Sequence, residues 1–252
     1  MMNDPVSAWP LTAEVASEVI VLDEVPSTNT WAVERVLEPY TAVLTWNQTR
    51  GRGRWNRAWM SHPGESLALS VVYPSNWTRG NPEIAPSWIP LVAGTCAVRS
   101  VRNLGVAGVG AKWPNDIVHE GKKLAGVLTE FDVAGQPIIG VGFNAHFEGK
   151  RPAPRAISLS ELMELEPDTV DSFVSGFIDE LRRCEGLSLD KLAARVCETL
   201  VTLGKPVTVS APESLSWDGL AEGLDRYGAL LVRDSCDEVH AQSASDVEHL
   251  YQ

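Results

Sequence analysis

Hydrophobic and polar positions switch repeatedly between strand-like and helix-like spacing along the chain. EVIVLDEV (18–25) reads as a strand, and STNTWAVERVLE (27–38) as a helix entered through hydroxyl and amide caps. AVLTWNQ (42–48) and SLALSVVYP (66–74) are β-rich runs. Residues 83–104 form an apolar segment of helical character that carries Pro86 and Pro90. From 106 to 147 the pattern is that of a three-stranded meander, with turns at HEGK (119–122) and VAGQP (133–137). Alternation along 123–131 places Lys123, Ala125 and Val127 on one face. Val170, Phe173, Val174, Phe177, Ile178 and Leu181 fall at helical spacing within 168–185, as do Leu189, Leu192, Val196, Leu200 and Leu203 in the next segment. LGKPV (203–207) ends the helical region with glycine and proline. The remainder returns to short β-like runs such as KPVTVS, LDRYGALLVRD and EVHAQ. This order predicts an α+β chain: a larger mixed unit over 1–203 and a small β-barrel-like unit over 204–252.

Charge sharpens the picture. With Lys+Arg 21 against Asp+Glu 33, the net charge of -12 disfavours long-range attraction to DNA, RNA or an anionic membrane unless basic residues are concentrated locally. One stretch concentrates them: WNQTRGRGRWNRAW (46–59) holds Arg50, Arg52, Arg54 and Arg57. Two apolar strands bracket it, which marks a tethered loop and not a disordered tail. The four cysteines, Cys96, Cys184, Cys197 and Cys236, are far apart and form no C-x-x-C pair, which argues against a disulfide framework or zinc site and fits a reducing cytoplasm. The first twenty residues lack the basic start and apolar run of a signal peptide, and no apolar stretch approaches a membrane span. A cytoplasmic protein without membrane or DNA partners is expected. The segment ahead of residue 27 is too short for a separate DNA-binding domain, which takes about 50 residues or more.

The candidate sites have structural readings when taken singly. STN (27–29) is a helix N-cap whose hydroxyls and N–H groups also suit a polar or anionic ligand. WPND (113–116) is turn chemistry, and GKKLAG (121–126) a hairpin turn with solvated lysines. Taken together they collect charge. Lys123 stands at the start of a strand, Gly126 leaves its backbone open to close approach, and the arginine loop adds further cations. Such a set suits an anion of several charges, such as a nucleotide polyphosphate. Neither a G-x-x-x-x-G-K-[ST] loop nor a G-x-G-x-x-G turn after a first strand is present. The residues alone lead no further than a phosphate-rich ligand.

STN, QTRGRGRWNRAW, KWPND, KKLAGVLTE and GVGFN, in this order, resemble the biotin protein ligases, or biotin–[acetyl-CoA-carboxylase] ligases. The resemblance is specific from about Val21 to Asn144 and weaker beyond. It implies a mixed-sheet catalytic domain of the biotin/lipoate ligase type over 1–203, followed by an SH3-like β-barrel over 204–252. It also implies ATP-dependent conversion of biotin to biotinyl-5′-AMP, then transfer of the biotinyl group to a lysine of a biotin carboxyl carrier domain of an acyl-CoA carboxylase. By the same resemblance Ser27, Thr28, Asn29, Gln48, Gly51, Arg52, Gly53, Lys123 and Gly126 serve biotin. Arg54, Arg57, Trp59, Lys112, Asn115, Asp116 and Asn144 serve ATP and the adenylate, with Asp116 toward Mg²⁺. Lys123, Arg54 and Arg52 carry the catalytic charge, and the arginine loop orders over bound ligand.

Asn56 stands where many relatives carry glycine, and SASDVEHLY matches the closing strand only loosely. The resemblance is to the monofunctional type without a DNA-binding domain, and a homodimer is left open. The alternatives are a lipoate or octanoate ligase or transferase of the same fold, and a non-catalytic biotin-binding regulator.

Overall fold

Pairing around one parallel crossover organises the larger sheet. A computed structural model describes residues 8–74, 84–210, 216–243 and 246–249. Strand β1 (Glu18–Val21) passes through helix α2 (Thr28–Val33) to strand β2 (Thr41–Thr45), which lies parallel to it. Then follow β3 (Ser66–Val72), β4 (Val109–Lys112), β5 (Asp116–His119), β6 (Lys122–Phe131) and β7 (Pro137–Asn144), each antiparallel to its neighbours. The order β1-β2-β3-β7-β6-β5-β4 makes a seven-stranded mixed sheet, as the α+β reading requires.

The expected three-stranded meander has four strands, because WPND closes a hairpin of its own between β4 and β5, with Lys112 opposite Asp116. Helix α2 is capped by Ser27 as expected, but it stops at Val33 and not at residue 38. Ala32 is its buried foothold, packed with Val43, Val72 and Ile138. Beyond it Leu37 still packs on this cluster, but Val36 is 86% exposed, and Pro39 disfavours helix at residue 38.

Helix α3 (Ile89–Asn103) begins after a 3₁₀ turn at Pro86–Trp88, and Pro90 sits in its first turn, where a missing N–H costs nothing. Residue 83, the expected start of this segment, lies outside the described residues. Helices α4 (Thr169–Arg182) and α5 (Leu189–Thr199) fall inside the predicted spans. Phe143 of β7 stacks on Phe173 of α4 at 4.1 Å between ring centroids. The opposite face of the sheet carries α2 and a cavity.

A short helix, α1 (Pro10–Val15), has no periodicity to announce it. It exists because the buried Asp171 of α4 accepts from Leu11 N (2.8 Å), Thr12 N (2.9 Å) and Thr12 Oγ1 (2.5 Å), satisfying N–H groups that a helix start leaves open.

The C-terminal region folds into a five-stranded antiparallel sheet of order β11-β10-β9-β8-β12. Its strands are β8 (Pro206–Ser210), β9 (Trp217–Leu224), β10 (Leu230–Arg233), β11 (Val239–Gln242) and β12 (Asp246–His249). Strand β9 was not among the expected runs, since Gly219 and Gly223 dilute its pattern. LDRYGALLVRD divides between the end of β9, a turn and β10, while the loosely matching SASDVEHLY supplies β12. The turn at 225–228 is fastened to the larger unit by Ser87 Oγ, Trp88 Nε1 and Trp113 Nε1, which donate to the carbonyls of Tyr227 (2.6 Å), Arg226 (3.0 Å) and Gly228 (3.2 Å). Val207, Val209, Ala221, Leu230 and Val232 join the main core through this contact. Among the described residues, no helix is long and apolar enough to cross a membrane.

Removing the Asp171 carboxylate strands the α1 donors. Asp171→Ala is expected to lower unfolding stability by about 3 kcal/mol, the range of hydrogen bonds to a charged group. Urea denaturation measures the loss, and a change below about 0.5 kcal/mol, the size of ordinary surface substitutions, would contradict this role.

Candidate active site

Register alone builds the floor of the cavity. Thr45, Ala68, Gly142, Gly126 and Asp116 are successive partners across β2, β3, β7, β6 and β5, and Lys112 of β4 pairs with Asp116. Small residues fill the middle of this row and charged ones its end. A neighbouring row runs Val43, Ser70, Gly140 and Leu128. The glycines are occupied by neighbours: a Cβ on Gly142 would lie 2.4 Å from Trp59 Cε2, and one on Gly140 would lie 2.4 Å from Asn29 Oδ1. The cavity above the floor has a volume of about 330 Å³.

Lys123 reaches this floor through a β-bulge. Ile117 pairs with Ala125 but Val118 pairs with Lys123, so Leu124 is an extra residue in β6. Leu124 and Ala125 are both buried in the core, and the alternation is reset between them. Lys123 therefore does not share the face of Ala125 and Val127, as unbroken alternation predicts. It lies on the side of Gly126, where a Cβ would stand 3.2 Å from Nζ. Its Nζ meets Asp116 Oδ1 at 2.6 Å and sits 5.4 Å from the centroid of the Trp59 ring. The lysine backbone is fixed as well: N donates to Arg155 O (2.6 Å), and O accepts from Ile157 N (2.9 Å) and Asn144 Nδ2 (3.2 Å).

The arginine loop folds as a small hairpin. Trp59 N donates to Gly51 O (2.9 Å), Gly53 N donates to Arg57 O (2.7 Å), and Arg52 bridges Ala58. Only glycine fits at 51, where a Cβ would meet Gln48 Nε2 at 2.6 Å. Trp55 at the tip takes a left-handed φ of 57°. Arg52, Gly53, Arg54 and Arg57 line the cavity, and among the described lining residues they set, with Lys112 and Lys123, five cationic side chains against the single carboxylate of Asp116. An acidic chain thus carries a local cationic surface.

The other end of the cavity is polar and neutral. Gln48 Oε1 accepts from Thr28 N (2.9 Å) and Thr28 Oγ1 (3.3 Å), and Ser70 Oγ approaches Thr28 Oγ1 (2.8 Å) and Asn29 Oδ1 (2.6 Å). Ser27 caps α2 through Thr30 N and also lines the wall. Asn29 is a strut, its Nδ2 donating to Leu128 O (3.1 Å) and Glu130 Oε2 (3.0 Å). Asn115 is another, with Nδ2 on Val127 O (2.7 Å). Ser70 and Glu130 were not singled out from the sequence, where nothing separates them from ordinary strand positions. Gly140 and Gly142 carried a usable signal, two glycines two apart inside a strand.

Trp59, Lys112, Asp116 and Lys123 also line a second cavity of about 540 Å³, which adds Asn144, Arg155 and His249. Asn144 is 2% exposed and uses its amide on backbone carbonyls, those of Lys123 and of Ile157 (3.1 Å), while Oδ1 accepts from Ser66 Oγ (3.2 Å). The two cavities meet at Lys123, so one ligand spanning both would pass its centre over the lysine.

Residues 21–144 match the biotin/lipoate A/B protein ligase family. The biotin–[acetyl-CoA-carboxylase] ligase of Mycobacterium tuberculosis is 34% identical over 216 residues, covering 82% of this chain and 78% of that protein. The chain belongs to the biotin protein ligases of this family. The bifunctional ligase/repressor BirA of Escherichia coli is 30% identical over 228 residues, covering 85% of this chain and 68% of BirA. The fold is also that of a biotin protein ligase from Aquifex aeolicus in complex with biotin and ATP. It has a TM-score of 0.78 at 22% identity and covers 93% of this chain and 100% of that one.

In this biotin protein ligase, Asp116 is, among the described residues, the one carboxylate that lines either cavity. Among the described residues, the group of three side chains spaced to hold a metal ion unaided is Asp234, Glu238 and His240, in the β10–β11 hairpin away from both linings. There Asp234 Oδ1 already accepts from two turn amides, those of Cys236 and Glu238.

His249 brings β12 to the second cavity, with Nε2 3.1 Å from Thr202 Oγ1. Burial, then the charges of Lys112 and Lys205, lower its pKa from 6.5 to about 4. Between those values the unfolded chain binds the proton and the folded chain does not. The contribution of His249 to stability is therefore full above about 6.5 and is lost as pH falls through about 4. An NMR titration of the histidine ring protons is expected to show one ring with a midpoint near 4, assigned by His249→Gln. A midpoint near 6.5 for that ring would contradict the buried placement.

Proposed function

We propose that the ligase joins biotin and ATP to biotinyl-5′-AMP and pyrophosphate, then passes the biotinyl group to a lysine of a biotin carboxyl carrier domain. The observation that carries this reading is the bulged lysine, set between a polar, glycine-floored cavity and a second cavity beside it. Ser27, Thr28 and Gln48, which line the first cavity, offer the hydrogen-bonding end that a ureido ring needs, and the small residues of the floor leave room for a bicyclic body. A dithiolane ring has no N–H or carbonyl to match those polar groups, which counts against lipoate.

Biotin then points its carboxylate at Lys123, and the nucleotide lies across the seam. A carboxylate oxygen must attack an α-phosphorus that is already surrounded by negative charge. Lys123, Arg54 and Arg57 reduce that repulsion and stabilise the charge that builds on phosphorus as pyrophosphate leaves. The acceptor lysine, as its neutral amine, attacks the carbonyl of the mixed anhydride. An amide forms, AMP departs, and the amine proton passes to solvent.

Asp116 holds Lys123 before substrate arrives and is also suited to a hard cation, which needs one or two carboxylates together with phosphate oxygens. Mg²⁺ at Asp116 would offset polyphosphate charge. Trp59 sits on the glycine floor between the two cavities and forms an aromatic wall to both, whereas Asn144 fixes the backbone of Lys123 and Asn115 that of Val127. Residues 1–203 would form the catalytic unit, and 204–252 a β domain that braces the WPND turn through Trp113. The names of the relatives support a carboxylase carrier domain as acceptor.

Adenylation precedes transfer, so the protein is expected to exchange labelled pyrophosphate into ATP with biotin and without any carrier. Lipoate should not support the exchange. Exchange with lipoate and none with biotin would overturn the substrate assignment. Lys123→Ala is expected to cut the exchange by about a hundredfold or more, the cost of removing a charge aimed at the transition state. Its thermal midpoint should stay near wild type, because the side chain lies outside the core. Near-normal exchange in that variant would leave Lys123 a bystander.

A further inference from the structure

Glu130 lines neither cavity, yet it joins two residues that line the first. It lies on β6 two positions beyond Leu128, on the cavity side of the sheet. Its Oε1 accepts from Arg52 Nη2 at 2.9 Å, and its Oε2 accepts from Asn29 Nδ2 at 3.0 Å. The same Arg52 nitrogen donates to Thr30 Oγ1 at 2.8 Å. Arg52 belongs to the hairpin loop through its bridge to Ala58, while Thr30 and Asn29 belong to α2. One carboxylate on the sheet therefore ties the loop to the helix at the polar end of the cavity. The pair is partly sheltered, with side-chain exposures of 41% for Arg52 and 27% for Glu130, so solvent screens it only in part.

We infer that Glu130 is a positioning residue for biotin: by clasping Arg52 and Asn29 it holds the arginine loop against α2 before any ligand is bound. The inference rests on the proposed function, which puts biotin in the first cavity. Two consequences separate it from a general stabilising role. The loop end next to Arg52 is closed by protein charge and not by the anion, so ligand-linked ordering of the loop is confined to its tip. The clasp also acts on the biotin side, since both of its partners, Arg52 and Asn29, line the first cavity.

The test uses the full chain and pyrophosphate exchange. Glu130→Gln keeps an acceptor for Asn29 but loses the charge that holds Arg52. The KM for biotin is expected to rise about tenfold, as for a weakened charge-assisted hydrogen bond. The KM for ATP and kcat should change by no more than about twofold, because uniform ground-state binding is what is lost. Adding Glu130→Gln to Arg52→Met should cost nothing further, because the two side chains act through one contact. Thr30→Val, which removes the second acceptor of Arg52, should shift the biotin KM in the same direction. An unchanged biotin KM in Glu130→Gln would overturn the inference, as would equal changes for biotin and ATP or full additivity with Arg52→Met. Absence of biotin-dependent exchange in the wild-type protein would instead bring down the ligase reading, and this inference with it.

Discussion

One extra residue in strand β6 decides what the cavity can do. In an unbroken strand Lys123 would share the side of Ala125 and Val127, which are buried in the core, and an unpaired ammonium there would carry a heavy desolvation cost. With Leu124 inserted, the core still receives two consecutive apolar residues, while the lysine turns over Gly126 to meet Asp116. The bulge is held from several directions. Backbone bonds to residues 155 and 157, and the buried amide of Asn144, leave the main chain of Lys123 little freedom. The reach of the side chain across the glycine floor follows from that fixation.

The remaining parts are arranged around this point. Small residues in register on β3, β6 and β7 open the space, and the hairpin of the arginine loop roofs it with backbone bonds of its own. The local excess of cations sits in a chain whose net charge is -12, so the surface as a whole does not attract polyanions while the cavity does. The C-terminal sheet reaches the same region by fastening its 225–228 turn to two indoles, one of which, Trp113, stands inside the turn that carries Asn115 and Asp116.

Much of the fold was legible because periodicity speaks for buried faces. Helices α4 and α5 bury their apolar stripes almost where spacing puts them, and the strands beside the arginine loop are nearly continuous hydrophobic runs. What escaped has local causes. Helix α1 depends on a carboxylate far along the chain, and the hairpin at WPND looks the same in sequence as an isolated turn. The bulge left no mark, since Leu124 and Ala125 suit either phase of an alternating pattern. For the site, residue types and their order named residues that the fold gathers around two adjoining cavities, but not what each side chain touches. Asn29, Asn115 and Asn144 spend their amides on protein acceptors, and Arg52 is engaged by Glu130 and Thr30. Those partners are set by sheet register, which spacing along one strand does not reveal.

On the proposed mechanism the bulge aims Lys123 at the carboxyl-phosphate junction of the intermediate. A crystal structure of the ligase with a non-hydrolysable analogue of biotinyl-5′-AMP tests this most directly. In that complex Nζ is expected to have left Asp116 and to stand about 2.7–2.9 Å from an oxygen at the acyl-phosphate linkage, the length of a charge-assisted hydrogen bond. The ureido ring should lie among Ser27, Thr28 and Gln48. A complex in which Lys123 stays paired with Asp116 and the linkage lies beyond its reach would contradict the account.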